Sequence, residues 1–191
     1  MPYTREHKEN TRAKILETAF RLFTVKGFDS ITVNAIMNEC GLTRGAFYAH
    51  FSSKSNLYSE ALKFGANRTN LAKLKPEITS DKEWLCLLLD GYLSLEHVQG
   101  KNPCPLAFLA TDIVTRNKET KTIYASVYDG MNKAIIAYAR NYMACDEYDI
   151  LSLTAMIIGA VAIARTMSDE NAVTNLLAAC RRDAGLKLGG I

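Results

Sequence analysis

The chain has 191 residues, of which 48% are hydrophobic, so it can bury a core in one domain or in one large and one small domain. Its net charge of +3 lies in residues 1–54, which hold eight Lys or Arg and five acids, whereas the rest holds fifteen of each sign. This placement is compatible with a polyanion bound by the N-terminal part. Five cysteines without metal-ligand spacing argue against a disulfide framework and a Cys/His metal site, and indicate reduced thiols in a cytoplasmic protein.

The first third of the chain has helical patterns throughout. Thr32 can N-cap one short helix, Gly41 stops it, and Thr43 can N-cap the next. A charged N-terminus without an apolar segment argues against a secretion signal. The helices predicted here cover residues 11–26, 33–40, 44–50 and 54–75.

Helical patterns continue to the C-terminus, with a capping box at Ser80 and Glu83. The apolar run 151–164 is short for a membrane span and ends at Arg165, so we interpret it as a buried helix. Without β-type alternation, the sequence predicts an all-α fold of about nine helices, divided into domains at 1–54 and 55–191. The later predicted helices cover residues 81–98, 106–114, 118–143, 146–166 and 169–184.

The two short helices are joined at Cys40, Gly41 and Leu42, and a longer helix precedes them. This order predicts a helix-turn-helix packed on a supporting helix, in which the glycine permits the tight turn. The opposite face of residues 43–50 stays free for a partner. The residues predicted to fill the core between the three helices are Phe20, Phe23, Ile36, Leu42, Phe47 and Phe51.

The free face offers the groups that duplex DNA requires. Arg44 lies where a recognition helix meets base edges, and Gly45 lets the backbone approach the duplex. Tyr48 and His50 can donate to phosphates, although Tyr48 as a core aromatic and His50 as a helix C-cap remain alternatives. The basic residues Arg5, Lys8 and Arg12 either touch DNA or form a solvated tail. The predicted DNA-binding residues are Thr32, Thr43, Arg44, Gly45, Tyr48, His50 and Lys54.

Three segments stand in order within residues 11–58: ILETAFRLF, KGFDSITVNAI and CGLTRGAFYAHFSSKSNL. In sequence and spacing they resemble the DNA-binding domain of the TetR family of transcriptional repressors. The resemblance covers about a quarter of the chain. Cys40 replaces the family's usual alanine before the turn glycine, which is a small substitution.

The resemblance implies an all-α homodimer in which three N-terminal helices bind DNA and about six more form a ligand-binding and dimerisation core. It places Thr43 and Arg44 in the major groove, with Arg44 as the residue that reads guanine. It assigns Thr32, Tyr48, His50 and Lys54 to the phosphate backbone.

The C-terminal part is rich in aromatic and methionine residues, which can line an apolar ligand pocket or simply fill a core. With the resemblance, we favour a pocket for a small, largely apolar or electrophilic effector. Cys104 lies between Pro103 and Pro105 at a helix start, where a lowered thiol pKa would favour redox sensing; a packing role is the alternative. The candidate ligand-binding residues are Trp84, Tyr92, Phe108, Tyr128, Met131 and Met156.

The last two helices carry small and apolar residues suited to close packing, and we predict that they form the homodimer interface. The residues proposed for it are Gly159, Ala160, Ala162, Ala164, Val173, Leu176, Leu177 and Cys180. A bundle within one chain is the alternative.

Together these features predict an effector- or thiol-responsive repressor of a palindromic operator, with no catalytic residues, cofactor or membrane partner. The sequence does not fix repression over activation. A structural or nonspecific DNA-binding protein and an α-helical enzyme are the alternatives, although the chain has no recognisable catalytic constellation.

Overall fold

The computed structural model describes residues 5–68, 74–100 and 104–191, and within these ranges all regular structure is helical. The predicted all-α fold is confirmed. The helices are α1 Arg5–Lys26, α2 Val33–Glu39, α3 Arg44–Tyr48, α4 Lys54–Arg68, α5 Asp81–Tyr92, α6 Leu95–Val98, α7 Pro105–Phe108, α8 Ala110–Ile113, α9 Lys118–Arg140, α10 Glu147–Ala164 and α11 Glu170–Lys187.

The described part of the chain thus has eleven helices where the sequence predicted about nine. The predicted helix 81–98 is interrupted at Leu93, and Ser94 caps α6 by accepting from the backbone N–H of His97 at 3.1 Å. The predicted helix 106–114 is likewise divided at Leu109 into α7 and α8. The capping box of Ser80 and Glu83 is present as predicted. The end predicted for α4, residues 69–73, and the predicted break at residues 102 and 103 lie outside the described residues.

Two compact units divide the chain, and the first contains residues up to 69 together with 109–125. Within it, α4 packs along α1, because Leu57, Tyr58, Ala61 and Leu62 are buried in the same core as Phe23. This unit therefore extends past the predicted domain boundary at residue 54. The division into domains 1–54 and 55–191 stays a prediction.

The helix-turn-helix elements of this unit follow from capping and turn chemistry. The Thr32 hydroxyl accepts from the Ala35 backbone N–H at 3.1 Å and so caps α2. Gly41 then adopts φ 65°, a left-handed conformation that glycine reaches without steric cost, and the chain reverses into α3. Thr43 occupies the N-cap position of α3, but its hydroxyl makes no capping hydrogen bond, so the prediction of a side-chain cap there was wrong.

The second unit contains residues 70–108 and 126–191, and α10 lies at its centre. α10 packs against α11, α7 and α6, and α11 packs in turn against α5. The same α10, Glu147–Ala164, is the one helix of the described ranges with the length and apolar composition of a membrane span. Its buried residues belong to the core of this unit: Ile150, Leu153, Thr154, Ile157, Ala160, Val161 and Ala164.

α11 does not end at Gly185, contrary to the prediction from the sequence. It continues to Lys187, and Gly189 with φ 80° follows. The chain turns back so that the backbone N–H groups of Gly190 and Ile191 both donate to the Gly185 carbonyl, at 2.9 and 3.2 Å. The Ile191 carbonyl then occupies the space that a side chain at Gly185 would need. Glycine is therefore required at this position for close approach rather than as a helix terminator.

This packing distinguishes two helical glycines. We expect Gly185→Ala to lower the free energy of unfolding by about 1–3 kcal/mol, because the added Cβ must displace the Ile191 carbonyl. Gly130→Ala, in α9 with open space around it, should raise it by about 0.5–1 kcal/mol through the better helix propensity of alanine. Urea denaturation of both variants measures the difference. Equal effects of the same sign would contradict the assigned packing.

Candidate nucleic-acid interface

The orientation of α3 is set by a single inward side chain. This helix has five residues, and Phe47 is its one fully buried member. The Phe47 ring contacts Tyr48 edge-on, with 5.1 Å between ring centroids, and lies 5.8 Å from Phe51. The predicted core is confirmed, since Phe23, Ile36, Phe47 and Phe51 are buried and Phe20 and Leu42 are packed against them. Burial of Phe47 turns the remaining side chains of α3 away from the core.

The opposite face of α3 is exposed, as the sequence predicted. Thr43, Arg44 and Gly45 are exposed, and the side chain of Tyr48 is 59% accessible, so Tyr48 is not a core aromatic. Arg44 makes no ion pair or hydrogen bond with the described residues, so its guanidinium is available to a partner. The face therefore combines a cation, hydroxyl groups and accessible backbone at the start of a helix.

His50 lies just past α3 and is half-buried. It is not the helix C-cap, because Ala49 holds that position. Its Nδ1 is buried without a hydrogen-bond partner. Burial lowers the pKa of His50, and the nearby charges of Lys8 and Arg12 lower it further. Burial and two nearby cations therefore both disfavour a proton on the His50 ring.

The basic N-terminal residues belong to a helix rather than a loose tail. α1 begins at Arg5, six residues before the predicted start, and Arg5 bonds Glu9 one turn later at 2.9 Å. Arg12 bonds Glu60 at 3.0 Å and lies 5.0 Å from the centre of the Phe51 ring. The tail alternative is therefore wrong for residues 5–12. Lys8 and Arg12 instead add positive charge beside His50.

Lys54 differs from the other predicted contacts. Its ammonium lies 4.1 Å from the centre of the Phe28 ring and is partly buried, and this burial lowers its pKa. A cation held over an aromatic face is partly committed within the protein. Thr32 is exposed and already caps α2.

A polar network that the sequence analysis missed attaches residues 109–125 to the α1–α2 turn and α4. The Tyr58 hydroxyl donates to Asp112 at 2.6 Å, and the Phe28 backbone N–H donates to the same carboxylate at 3.3 Å. Arg116 donates two hydrogen bonds to Asp29, at 2.7 and 3.2 Å, and lies 4.4 Å from the centre of the Phe28 ring. These partners are 54 to 87 residues apart in sequence, so no local pattern signals them.

The partners in this network shift each other's pKa values. The hydrogen bond from Arg116 lowers the pKa of Asp29, and the same bond raises the pKa of Arg116. Burial and the bond to Asp112 raise the pKa of Tyr58. A polar cavity of about 110 Å³ adjoins these groups, lined by Phe28, Ser55, Tyr58, Thr115, Arg116, Asn117 and Thr120.

The predicted ligand-binding residues all lie in the second unit. Trp84 and Phe108 are buried, whereas Tyr92, Met131 and Met156 are partly buried against its core. Tyr128 is hydrogen-bonded to Thr154, with 3.1 Å between their hydroxyl oxygens. The Trp84 Nε1–H is buried without an acceptor. An unsatisfied indole N–H is the clearest sign among these residues of a missing partner.

Cys104 does not have the environment that the sequence suggested. Burial raises the pKa of its thiol, and this outweighs the thiolate-favouring hydrogen bonds from Tyr92 and the backbone N–H groups of Leu106 and Ala107. The predicted lowering of its pKa was wrong, because burial of the thiol outweighs any effect of the helix that follows, which is only four residues long. Pro103, the other flanking proline, lies outside the described residues. Across the described ranges, no group of His, Cys, Asp or Glu is arranged to hold a metal.

Part of the predicted dimer surface is used inside the chain. Ala160, Ala164, Val173 and Leu177 are at most 5% exposed and pack within the second unit, so they are not available to a second copy. This part of the prediction was wrong because an amphipathic stripe does not tell which neighbour covers it. The opposite side of α10 is more open, with Leu151, Ala155, Ile158, Gly159 and Ala162 exposed or partly exposed.

Comparison with known proteins agrees with the N-terminal geometry. Residues 15–61 match the family model described as bacterial regulatory proteins, tetR family. The HTH-type transcriptional regulator AcrR of Shigella flexneri is 38% identical over 74 residues, which are 39% of this chain and 34% of AcrR. The uncharacterized HTH-type transcriptional regulator YerO of Bacillus subtilis is 27% identical over 118 residues, 61% of this chain and 41% of YerO. The matched region thus spans less than two thirds of either relative.

Solved structures share the fold over nearly the whole chain. A TetR transcriptional regulator from Chloroflexus aurantiacus superposes with a TM-score of 0.78 at 20% identity, covering 96% of each chain. The reduced form of E. coli NemR superposes with a TM-score of 0.72 at 16% identity, covering 90% of this chain and 95% of NemR. The similar proteins named here are transcriptional regulators, and the match over residues 15–61 agrees with the resemblance that the sequence motifs predicted.

The inward and outward positions of α3 can be separated by two substitutions. We expect Phe47→Ala to lower the free energy of unfolding by about 3–5 kcal/mol, because it leaves a cavity in the core of the first unit. Tyr48→Ala removes an exposed ring and should change it by no more than about 0.5 kcal/mol. Chemical denaturation of both variants provides the measurement. A large loss of stability for Tyr48→Ala would show that its ring is structural.

Proposed function

The chain belongs to the TetR family of transcriptional regulators, and we propose that it is a cytoplasmic repressor that binds a palindromic operator and is released by a small-molecule effector. The observation that carries this proposal is the exposed face of α3, where Thr43, Arg44 and Tyr48 point outward while Phe47 anchors the helix. Repression follows if the operator overlaps a promoter.

Each group on this face has a distinct role in the proposal. Arg44 reads guanine in the major groove, since a guanidinium can donate two hydrogen bonds to the O6 and N7 atoms of that base. Gly45 lets the helix backbone approach the duplex, and Thr43 binds where base edges and phosphates meet. Tyr48 and His50 donate to phosphate oxygens.

The remaining polar contacts position the first unit on the DNA backbone. Thr32 presents its backbone N–H and hydroxyl to a phosphate at the start of α2. Lys54 supplies positive charge close to the duplex while its stem packs on Phe28. Lys8 and Arg12 add positive charge near His50.

A homodimer would present two α3 helices to successive major grooves, one helical turn or a multiple of it apart. We propose that the two copies meet through the exposed side of α10, with Leu151, Ala155 and Ala162 at the contact. Ala155 and Ala162 are small and allow two helices to approach closely, and the exposed Leu151 adds apolar surface to the contact. A two-fold interface of this kind matches a palindromic operator.

We place the effector in the second unit, among Trp84, Tyr92, Phe108, Tyr128, Met131 and Met156. The buried Trp84 Nε1–H without an acceptor favours a ligand that supplies one. A difference of about 1–3 kcal/mol between the DNA affinities of the free and bound states is enough for a switch. We favour a ligand over thiol modification as the releasing event, because burial raises the pKa of the Cys104 thiol and so disfavours the reactive thiolate.

The DNA-binding proposal is tested by selecting binders from a random-sequence duplex pool. The wild-type protein should enrich an inverted repeat. Tyr48→Ala should bind this repeat about tenfold or more weakly, because it loses a phosphate contact in each subunit. Arg44→Ala should select the same repeat with relaxed preference at one base pair per half-site, worth about 1–3 kcal/mol.

Lys133→Ala, which removes an exposed cation from α9 in the second unit, is the matched control and should leave the selected motif unchanged. Failure of the wild-type protein to enrich any motif, with uniform salt-sensitive binding instead, would favour a structural or nonspecific DNA-binding protein.

The dimer proposal predicts that one buried charge at the contact separates the copies. Wild-type protein should have a dimeric mass by light scattering at micromolar concentration, and Ala155→Glu should be monomeric with an unchanged helical spectrum. Ala125→Glu places the same substitution on the exposed side of α9 and should remain dimeric. A monomeric wild type, or a dimeric Ala155→Glu, would place the interface elsewhere or exclude it.

A further inference from the structure

The guanidinium of Arg165 has no carboxylate partner among the described residues. Arg165 follows α10 as its C-cap residue, and its guanidinium carbon lies 3.5 Å from the centre of the Phe108 ring. Within the described ranges it makes one hydrogen bond, a long contact of Nη1 with the Phe108 carbonyl at 3.5 Å. No carboxylate of the described residues lies within ion-pair distance, although the side chain is half-buried.

The other described arginines show that this is unusual for the chain. In the second unit, Arg140 pairs with Glu147 at 2.7 Å, Arg181 with Asp90 at 2.5 Å and Arg182 with Asp183 at 3.3 Å. The described arginine side chains of the first unit are paired with carboxylates, except for Arg44. Arg44 is the side chain for which DNA supplies the acceptors, guanine O6 and N7, in the proposed function. By the same reasoning, the unpaired guanidinium of Arg165 is available to an acceptor from outside the chain.

The groups around Arg165 leave its charge uncompensated. His97 is 6% exposed, and its Nδ1–H donates to the Tyr92 carbonyl at 2.6 Å. Burial lowers the pKa of His97, the charge of Arg165 lowers it further, and burial also lowers the pKa of Arg165. A guanidinium that is partly removed from water, with no carboxylate of the described residues beside it, is costly until an anion pairs with it.

The surroundings also indicate the shape of that anion. Phe108 covers one face of the guanidinium, and the His97 ring lies 5.8 Å from Phe108 and 4.5 Å from Tyr92, so three aromatic rings are contiguous. The Nε and Nη2 groups of Arg165 make no hydrogen bond with the described residues, and together they can bind a carboxylate in a bidentate pair. The half-exposed side of the residue provides access from solvent.

We propose that Arg165 binds the carboxylate of a small aromatic acid, with the ring of the acid packed beside Phe108, His97 and Tyr92. This inference rests on the proposed function, since it assigns a chemical class to the effector of the second unit. It adds a negative charge to the apolar body that the aromatic lining alone suggests.

The test is calorimetric titration of the full chain with benzoate, phenylacetate and cinnamate, each beside its neutral amide. We expect at least one acid to bind about tenfold or more tightly than its amide, because only the acid forms charge-assisted bonds. In Arg165→Met the acid should bind no better than the amide. Arg165→Lys keeps a cation at the end of α10 and should retain part of the preference, since an ammonium lacks the planar fork.

Arg182→Met, an exposed arginine of the same unit, is the control and should keep the full preference for the acid. Absence of binding by all three acids at millimolar concentration, equal binding of acid and amide, or an unchanged ratio in both Arg165 variants would overturn the proposal. If Arg165→Met unfolds, the ratio in Arg165→Lys decides. Duplex selection with ligand-free protein is scored separately, so an operator without carboxylate binding refutes this inference alone, and the reverse result refutes the DNA-binding proposal alone.

Discussion

Burial of one aromatic ring governs the DNA-binding face. α3 is too short to hold its orientation by helix propensity, since isolated helices of fewer than about a dozen residues are marginal in water. Phe47 supplies the missing constraint by inserting into the core formed with Phe23, Ile36 and Phe51. Once that ring is fixed, the helical repeat carries Arg44 and Tyr48 to the outside. The local energetics of a three-helix core therefore determine which groups a duplex would meet.

The helix-turn-helix and its supporting helices are connected to residues 109–125 by polar contacts as well as by apolar packing. Asp112 accepts a hydrogen bond from the Tyr58 hydroxyl, and Arg116 donates hydrogen bonds to Asp29 at the turn between α1 and α2. Paired charges with defined geometry specify one arrangement, whereas apolar contacts tolerate several. Residues 109–125 therefore belong to the same compact unit as the helix-turn-helix. The segment that carries the family motif is thus joined to residues that lie far beyond it in the sequence.

Local patterns predicted the helix-turn-helix well because its signals are short-range: the cap at Thr32, the positive φ of Gly41 and the inward spacing of Phe47. They failed where the structure depends on which other parts of the chain pack against a segment. The start of α1 at Arg5 lacks an apolar period, and the division at Leu109 has no glycine or proline to mark it. Val173 and Leu177 lie on one apolar side of the last helix, as predicted. The sequence could not tell whether that side packs within the chain or against a second copy. Cys104 was misjudged because the sequence pattern around it does not show the burial that raises the pKa of its thiol.

The central claim is that the exposed face of α3 enters the major groove with Arg44 against guanine. The most direct measurement is dimethyl sulfate protection on the selected operator, since this reagent methylates guanine N7 in the major groove and adenine N3 in the minor groove. Bound wild-type protein should protect guanine N7 in each half-site, and Arg44→Ala at saturating concentration should lose that protection while still occupying the DNA. Protection confined to adenine N3, or N7 protection unchanged in Arg44→Ala, would contradict this placement of α3.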